Sequence, residues 1–307
     1  MTEAVDQELR AAAFAALTKI TAGTGGVIRR QEMNAGFEFR GEQIPFANPQ
    51  MGIWRPRQLG RNGAALSITT VAHKPGVTPK YDDQIGSNDG WFEYRYQGKD
   101  PETWTNVAVR RAWANGTPLI YFYGLVPGVF EAMWPVYVND DERERLTFHL
   151  AVDTASAGEH SVYHGGSSAP LKAYATVAAK RRLHQHRFRH LVLDAYQQQC
   201  AVCRFRKVPL LEAAHILPDR DERGLPEISN GMSLCRIHHG AYDLGILGVA
   251  PTYRVHIRRD VLEEKDGPML LHGLQEMQDQ SIHLPSRPDQ KPNKKYLEER
   301  FEQFLAA

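Results

Sequence analysis

The 307 residues carry 37 Lys and Arg against 36 Asp and Glu, a formal net charge of +1, and are 42% hydrophobic and 24% charged. That balance excludes a disordered or fibrous chain and leaves room for two domains. Three cysteines are too few for a disulfide framework, no apolar run approaches a membrane span, and the acidic amphipathic start lacks a signal-peptide pattern, so a cytoplasmic protein away from membranes is expected.

Residues 1–26 read as an N-terminal helix, with Val5, Leu9, Ala12, Ala16, Leu17 and Ile20 forming a stripe that ends at Gly23. Residues 27–75 switch to short alternating runs separated by Gly, Pro and Asn, the pattern of β-structure. Arg55, Arg57 and Arg61 lie beside Trp54, where they would touch a phosphate backbone or serve merely as a solvated loop.

Lys80 to Gly98 concentrates Tyr81, Trp91, Phe92, Tyr94 and Tyr96 with Asp82, Asp83 and Asp89. Trp91 to Tyr96 alternates as a strand, which puts Tyr94 and Tyr96 on one face. Aromatic rings beside a carboxylate are what a pocket needs to hold an extruded nucleobase; the competing reading is a sheet whose aromatics are core. A helix over Asn106 to Trp113 and apolar strands over Pro118 to Gly124 and Met133 to Val138 follow. This order resembles the SRA (SET- and RING-associated) domains, PUA-like β-barrels that flip and read modified cytosine. The resemblance covers about Lys80 to Asp140 and implies Tyr81 and Tyr96 as stacking rings and Asp82 or Asp83 as the base-reading carboxylate; Trp91 and Tyr94 are further aromatic candidates for the pocket. The domain is taken as residues 27–153, up to the linker that follows.

Residues 154–170, rich in small and polar residues, read as a linker, and 171–307 as a second domain. The second domain opens on a long helix from Tyr174 to Gln199 with Phe188, Leu191, Val192, Ala195 and Tyr196 on one face. Lys172 to Leu210 holds nine Lys or Arg against one Asp, and Arg181, Arg182, Arg187 and Arg189 make this helix a candidate DNA-backbone surface.

The helix runs into Cys200-Ala-Val-Cys203, answered by Cys235-Arg-Ile-His238. Three thiolates and an imidazole in two knuckles are the ligand set of a closed structural Zn²⁺ site. Interleaved with them are His215, Asn230 and His239, at intervals of fifteen and nine residues, which zinc does not need. Leu210 to Leu217 alternates as a strand, a polar loop follows, and Leu234 to Leu244 reads as a helix. That order is similar to the HNH nucleases of the ββα-metal fold over Cys200 to about Gly248.

The HNH resemblance implies His215 as general base, Asn230 as the residue holding the loop that aims it, and His239 with Asp243 as ligands of a catalytic Mg²⁺ or Mn²⁺. His239 and Asp243, four apart, share a helix face. Adjacent helical residues diverge by about 100°, so His238 can face zinc while His239 faces the other ion. One departure stands out: Ala214 occupies the position where family members commonly place a metal ligand, and Glu212, on the same strand face, is the substitute within reach.

The whole is expected to be an α+β protein: an SRA/PUA-like β-barrel followed by a zinc-stabilised ββα-metal (HNH) domain, as in modification-dependent (McrA-like) restriction endonucleases. Its partner would be double-stranded DNA carrying 5-methylcytosine or 5-hydroxymethylcytosine, with a homodimer the easiest route to cutting two strands. An HNH nicking or structure-specific nuclease without base recognition, and a non-catalytic zinc-stabilised DNA-binding protein, are the rival readings. Ile246 to Arg258 reads as a strand pair, and Lys294 to Leu305 as a closing amphipathic helix with Leu297, Phe301 and Phe304 inward.

Overall fold

The computed structural model describes residues 3–72, 91–153, 169–218, 221 and 223–306. They form two units, 1–183 and 184–307. Tyr81, Asp82 and Asp83 lie outside the described residues.

The first unit opens with α1 (Glu3–Thr21), β1 (Val27–Arg29), α2 (Arg30–Ala35), β2 (Phe37–Phe39), β3 (Glu42–Ile44), β4 (Ile53–Trp54) and β5 (Ser67–Thr70). It continues with β6 (Phe92–Arg95), α3 (Trp104–Ala114), β7 (Leu119–Val126), β8 (Val129–Glu142) and β9 (Thr147–Val152). The main sheet has the order β4-β5-β7-β8-β9-β6, with β1 added to β8. β5 and β7 run parallel, and the other described pairs in this sheet are antiparallel. Instead of the expected closed barrel, the described strands make a curled half-barrel whose edges are β4 and β6. Tyr94 on β6 donates its hydroxyl to Gly52 O beside β4 at 3.0 Å, drawing those two edges together.

The period-2 alternation of β7 builds both cores of this unit. Ile120 and Phe122 face α1, where Leu9, Ala13 and Leu17 are fully buried. Leu119, Tyr121, Tyr123 and Leu125 face the other way, onto α3 and the β6–β9 aromatics. The stripe read from sequence on α1 is rotated: Val5, Ala12, Ala16 and Ile20 flank the buried line. The cause is Arg10, which turns inward, ion-pairs with Asp6 and donates Nη1 to Ala65 O at 2.9 Å and Pro118 O at 2.8 Å.

The long helix α4 (Ala169–Ala195) belongs to both units, and the division falls inside it, at 183/184, rather than in the segment before it. Ala179 and Leu183 are buried in the first unit's core, and Thr176 Oγ1 accepts from Val152 N at 3.1 Å. Hydrophobic packing therefore extends the first unit past the linker suggested by composition.

The second unit holds β10 (Leu211–His215), β11 (Gly231–Cys235), α5 (Arg236–Asp243), β12 (Leu247–Val249) and β13 (Val255–Ile257). It ends with α6 (Arg259–Glu263), α7 (Pro268–Gly273) and α8 (Lys294–Leu305). β10 and β11 form an antiparallel hairpin on which α5 follows directly, the ββα order expected from the sequence. Phe188, Val192 and Tyr196 from α4 pack on it, and Leu297 of α8 closes the core. Phe304 of α8 lies so close to Gly248 that a Cβ there would meet its ring at 2.6 Å, so only glycine fits.

Candidate active site and metal centre

Cys200 follows α4, Cys203 ends the first knuckle, Cys235 is the last residue of β11 and the N-cap of α5, and His238 sits in the first turn of α5. Their ligand atoms lie within 4.8 Å of one another. His238 Nδ1 is 3.1 Å from Cys235 Sγ and 3.5 Å from Cys200 Sγ, while its Nε2 meets Gly273 O at 2.8 Å. A carbonyl on the outer ring nitrogen fixes the tautomer that presents Nδ1 to a metal, so the donor set and its orientation both fit Zn²⁺. Three thiols this close cannot all ionise without a cation among them. Accordingly, hydrogen bonding with Cys203 and Cys235 drives the Cys200 thiol up, while hydrogen bonds from Cys200 and Cys203 pull Cys235 down.

The remaining sequence-derived residues gather on the same ββα frame. His215 ends β10 directly opposite Gly231, and its ring stacks on Phe188 with centroids 4.0 Å apart. Asn230, 1% exposed, accepts Leu217 N at 2.9 Å and donates to Leu217 O at 3.1 Å and Leu225 O at 3.2 Å. Its backbone carbonyl takes Ile216 N at 2.9 Å. Asn230 thus pins the chain on both sides of the loop that follows His215. We expect Asn230→Ala to leave these buried groups unpaired and to cost the second unit about 2–4 kcal/mol. Chemical denaturation reads this; unchanged stability would remove Asn230 from the role.

His238 and His239 diverge as the helix dictates. His238 is buried against the cysteines, whereas His239 is partly exposed, with Nδ1 2.7 Å from Glu212 Oε2 and Nε2 3.3 Å from Asp243 Oδ2. Glu212 also meets Arg236 Nε at 3.3 Å. Ala214 is fully buried in the core, and Glu212, two residues earlier on β10, is the strand carboxylate that reaches His239. The two carboxylates flank opposite edges of one imidazole. A single ion binds only one ring nitrogen, so it shares His239 with one of them, and the other orients the ring. One imidazole nitrogen with one carboxylate would leave the remaining positions of a divalent ion to water and phosphate oxygens.

Two contributors had no separate signal in the sequence. Phe188 buttresses His215 from α4, twenty-seven residues upstream. Gly231 lies where a Cβ would meet Val192 Cγ2 at 2.5 Å and Phe188 Cζ at 2.8 Å, so its lack of a side chain lets the helix approach the hairpin.

Other candidates are placed differently. Tyr94 and Tyr96 are 5% and 1% exposed. Tyr96 stacks on Phe148 at 4.5 Å, and its hydroxyl is bonded to Asp141, which Arg110 Nε also holds at 2.7 Å. Both rings are core, not lining of an open pocket; Trp91, adjoining β6, is half-buried. Two of the four helix arginines are committed within the protein: Arg182 Nε pairs with buried Glu131 at 3.0 Å, and Arg189 donates to Val208 O at 3.1 Å and Leu211 O at 3.0 Å. Burial holds the Arg189 guanidinium below its usual range. Arg181 is exposed and Arg187 partly so.

Residues 200–250 match the family described as HNH endonuclease. The second unit therefore carries an HNH endonuclease domain, and the chain is a metal-dependent nuclease. The chain has no match among curated proteins. Among solved structures it is similar to the modification-dependent TagI restriction endonuclease, at 18% identity over 83% of this chain and 86% of that one, with a TM-score of 0.28. It is also similar to the Type IV phosphorothioation-dependent restriction endonuclease ScoMcrA, at 15% identity over 59% of this chain and 54% of that one, with a TM-score of 0.20. No helix among the described residues is long and apolar enough to cross a membrane.

Proposed function

We propose that the chain is a modification-dependent DNA endonuclease: the first unit flips and reads 5-methylcytosine or 5-hydroxymethylcytosine, and the HNH domain hydrolyses phosphodiester bonds. The observation that carries the nuclease half is the convergence of His215, Asn230, Glu212, His239 and Asp243 on one ββα frame inside the HNH match.

In this reading His215 takes the proton from the attacking water, since an imidazole titrates near neutral pH and its ring is held by Phe188. The water oxygen bonds to phosphorus as the bond to the 3′ oxygen breaks, and solvent protonates the departing 3′ oxygen. Asn230 keeps the His215 strand end in place. His239 would hold Mg²⁺ or Mn²⁺ with Asp243 or Glu212, where such an ion would supply neutralisation of the charge that develops in phosphodiester hydrolysis. Zn²⁺ on Cys200, Cys203, Cys235 and His238 is structural. A homodimer would bring two such centres to one duplex.

The base-reading half rests on the aromatic and acidic run from Tyr81 to Trp91 and its resemblance to SRA domains. With Tyr94 and Tyr96 in the core, stacking falls to Tyr81 and Trp91, and the carboxylate is Asp82 or Asp83. The test is cleavage of one duplex sequence carrying cytosine, 5-methylcytosine or 5-hydroxymethylcytosine. We expect a modified duplex to be cut at least about tenfold faster, the effect of roughly 1.4 kcal/mol of discrimination, and Asp82→Ala or Asp83→Ala to abolish the preference without loss of zinc. Equal cutting of all three would leave a nuclease without a base reader.

A further inference from the structure

The arginines after β4 are not used by the chemistry above, and the first unit gives them a defined setting. Arg55 follows β4, and its Cζ lies 4.9 Å from the ring centroid of Trp104, the first residue of α3, which is 43% exposed. Seven residues on, at nearly two full turns of the same helix, Arg111 stands on the same face. Arg111 donates to Arg61 O at 3.2 Å and Asn62 Oδ1 at 3.4 Å, which fastens it to the loop after Leu59. Trp54, the ring nearest Arg55 in sequence, turns away and donates to Pro45 O at 3.1 Å.

The charge on this face is unbalanced. Arg55 makes no hydrogen bond or ion pair among the described residues, and Arg111 makes no ion pair among them. Burial, and then the positive charge of Arg111, hold the Arg55 guanidinium below its usual range, so the two cations feel each other. Arg57 and Arg61 add two more cations on the loop after β4, and of the four arginines only Arg57 has an ion-pair partner among the described residues, Glu42 at 3.0 Å. By contrast, Arg110 and Arg143 of the same unit both sit on Asp141 and Glu102. Holding like charges close together costs stability unless an anion comes between them.

We propose that Arg55, Arg111 and Trp104 form a docking face for the nucleic-acid backbone, in which the two guanidiniums share a phosphate and Arg57 and Arg61 extend the track to neighbouring phosphates. Guanidinium forks match phosphate oxygens, and the Trp104 ring keeps Arg55 extended toward the ligand. The inference rests on the reading of the chain as a DNA nuclease and assigns its first unit a sequence-independent grip on the substrate. Because phosphate contacts carry no base information, the face raises affinity for modified and unmodified duplexes alike.

The experiment is a fluorescence-anisotropy titration of the full chain, without added Mg²⁺ or Mn²⁺, against a short duplex in cytosine and 5-methylcytosine forms at several salt concentrations. R55Q/R111Q should bind both duplexes about tenfold more weakly at low salt, and the slope of log affinity against log salt should fall by about 0.9, for the one phosphate the two guanidiniums share. R55Q alone, which removes no hydrogen bond inside the protein, should show about half the change in slope and settles the matter if the double variant folds poorly. Unchanged affinity and slope in R55Q/R111Q, with wild type binding both duplexes, overturns the docking face alone. A loss confined to the methylated duplex overturns the phosphate assignment. A wild-type chain that binds neither duplex overturns the nuclease reading together with it.

Discussion

Cys235→Ser is expected to unfold the second unit while leaving the first folded. Cys235 contributes a sulfur to the metal cluster, ends the hairpin strand that carries Gly231 to Leu234, and caps the helix that carries His239 and Asp243. Its neighbours Cys200, Ala201, Val202 and Leu234 are part of the same buried core, so Cys235 stands where α4, the hairpin and α5 come together. Structural zinc sites supply folding free energy of about 10–16 kcal/mol in small zinc-finger peptides, more than a unit of this size holds in reserve. Calorimetry should therefore show two transitions in the wild type and, in the variant, the first-unit transition alone, with zinc content lost. A variant that keeps both transitions would make the cluster incidental to folding.

His215→Ala is the second large expectation, and its sign differs in kind: cleavage should fall by a factor of about 10²–10⁴, the usual contribution of a positioned general base, while fold, zinc content and DNA affinity remain. The separation is expected because His215 is the terminal residue of β10 and is half-buried, its ring stacked on Phe188. His215→Gln should be equally inactive, since an amide offers no base at neutral pH. Cleavage persisting at a comparable rate in either variant would pass the base role to another residue.

How far the sequence foretold these features depends on how local their cause is. The gathering of Cys200, Cys203, Cys235 and His238 was legible because each pair lies within one turn of chain, and CxxC and CxxH leave little choice of partner. The opposite headings of His238 and His239 follow from helix geometry alone. Glu212 was reachable by strand alternation, but its position across the imidazole from Asp243 depends on how α5 lies on β10. Phe188 beneath His215 is a tertiary contact, indistinguishable in sequence from any other apolar residue on α4. Tyr94 and Tyr96 show the limit of composition: a strand face bearing two tyrosines reads the same whether it lines a pocket or a core, and Asp141 and Arg110, supplied from β8 and α3, hold Tyr96 in the core. The Arg55 face was half visible, since its arginines are adjacent in sequence but Trp104 and Arg111 arrive about fifty residues later.

In the proposed nuclease a structural metal and a catalytic metal are held by different residues of one ββα frame. Cleavage of duplex DNA as a function of added Mg²⁺ or Mn²⁺, on protein whose zinc content is measured in the same samples, tests this most directly. No cleavage is expected without the added ion, saturating cleavage with it, and about one zinc per chain throughout, the stoichiometry of one closed four-ligand site. Cleavage independent of the added ion, or activity that disappears only as zinc is withdrawn, would contradict this division of roles.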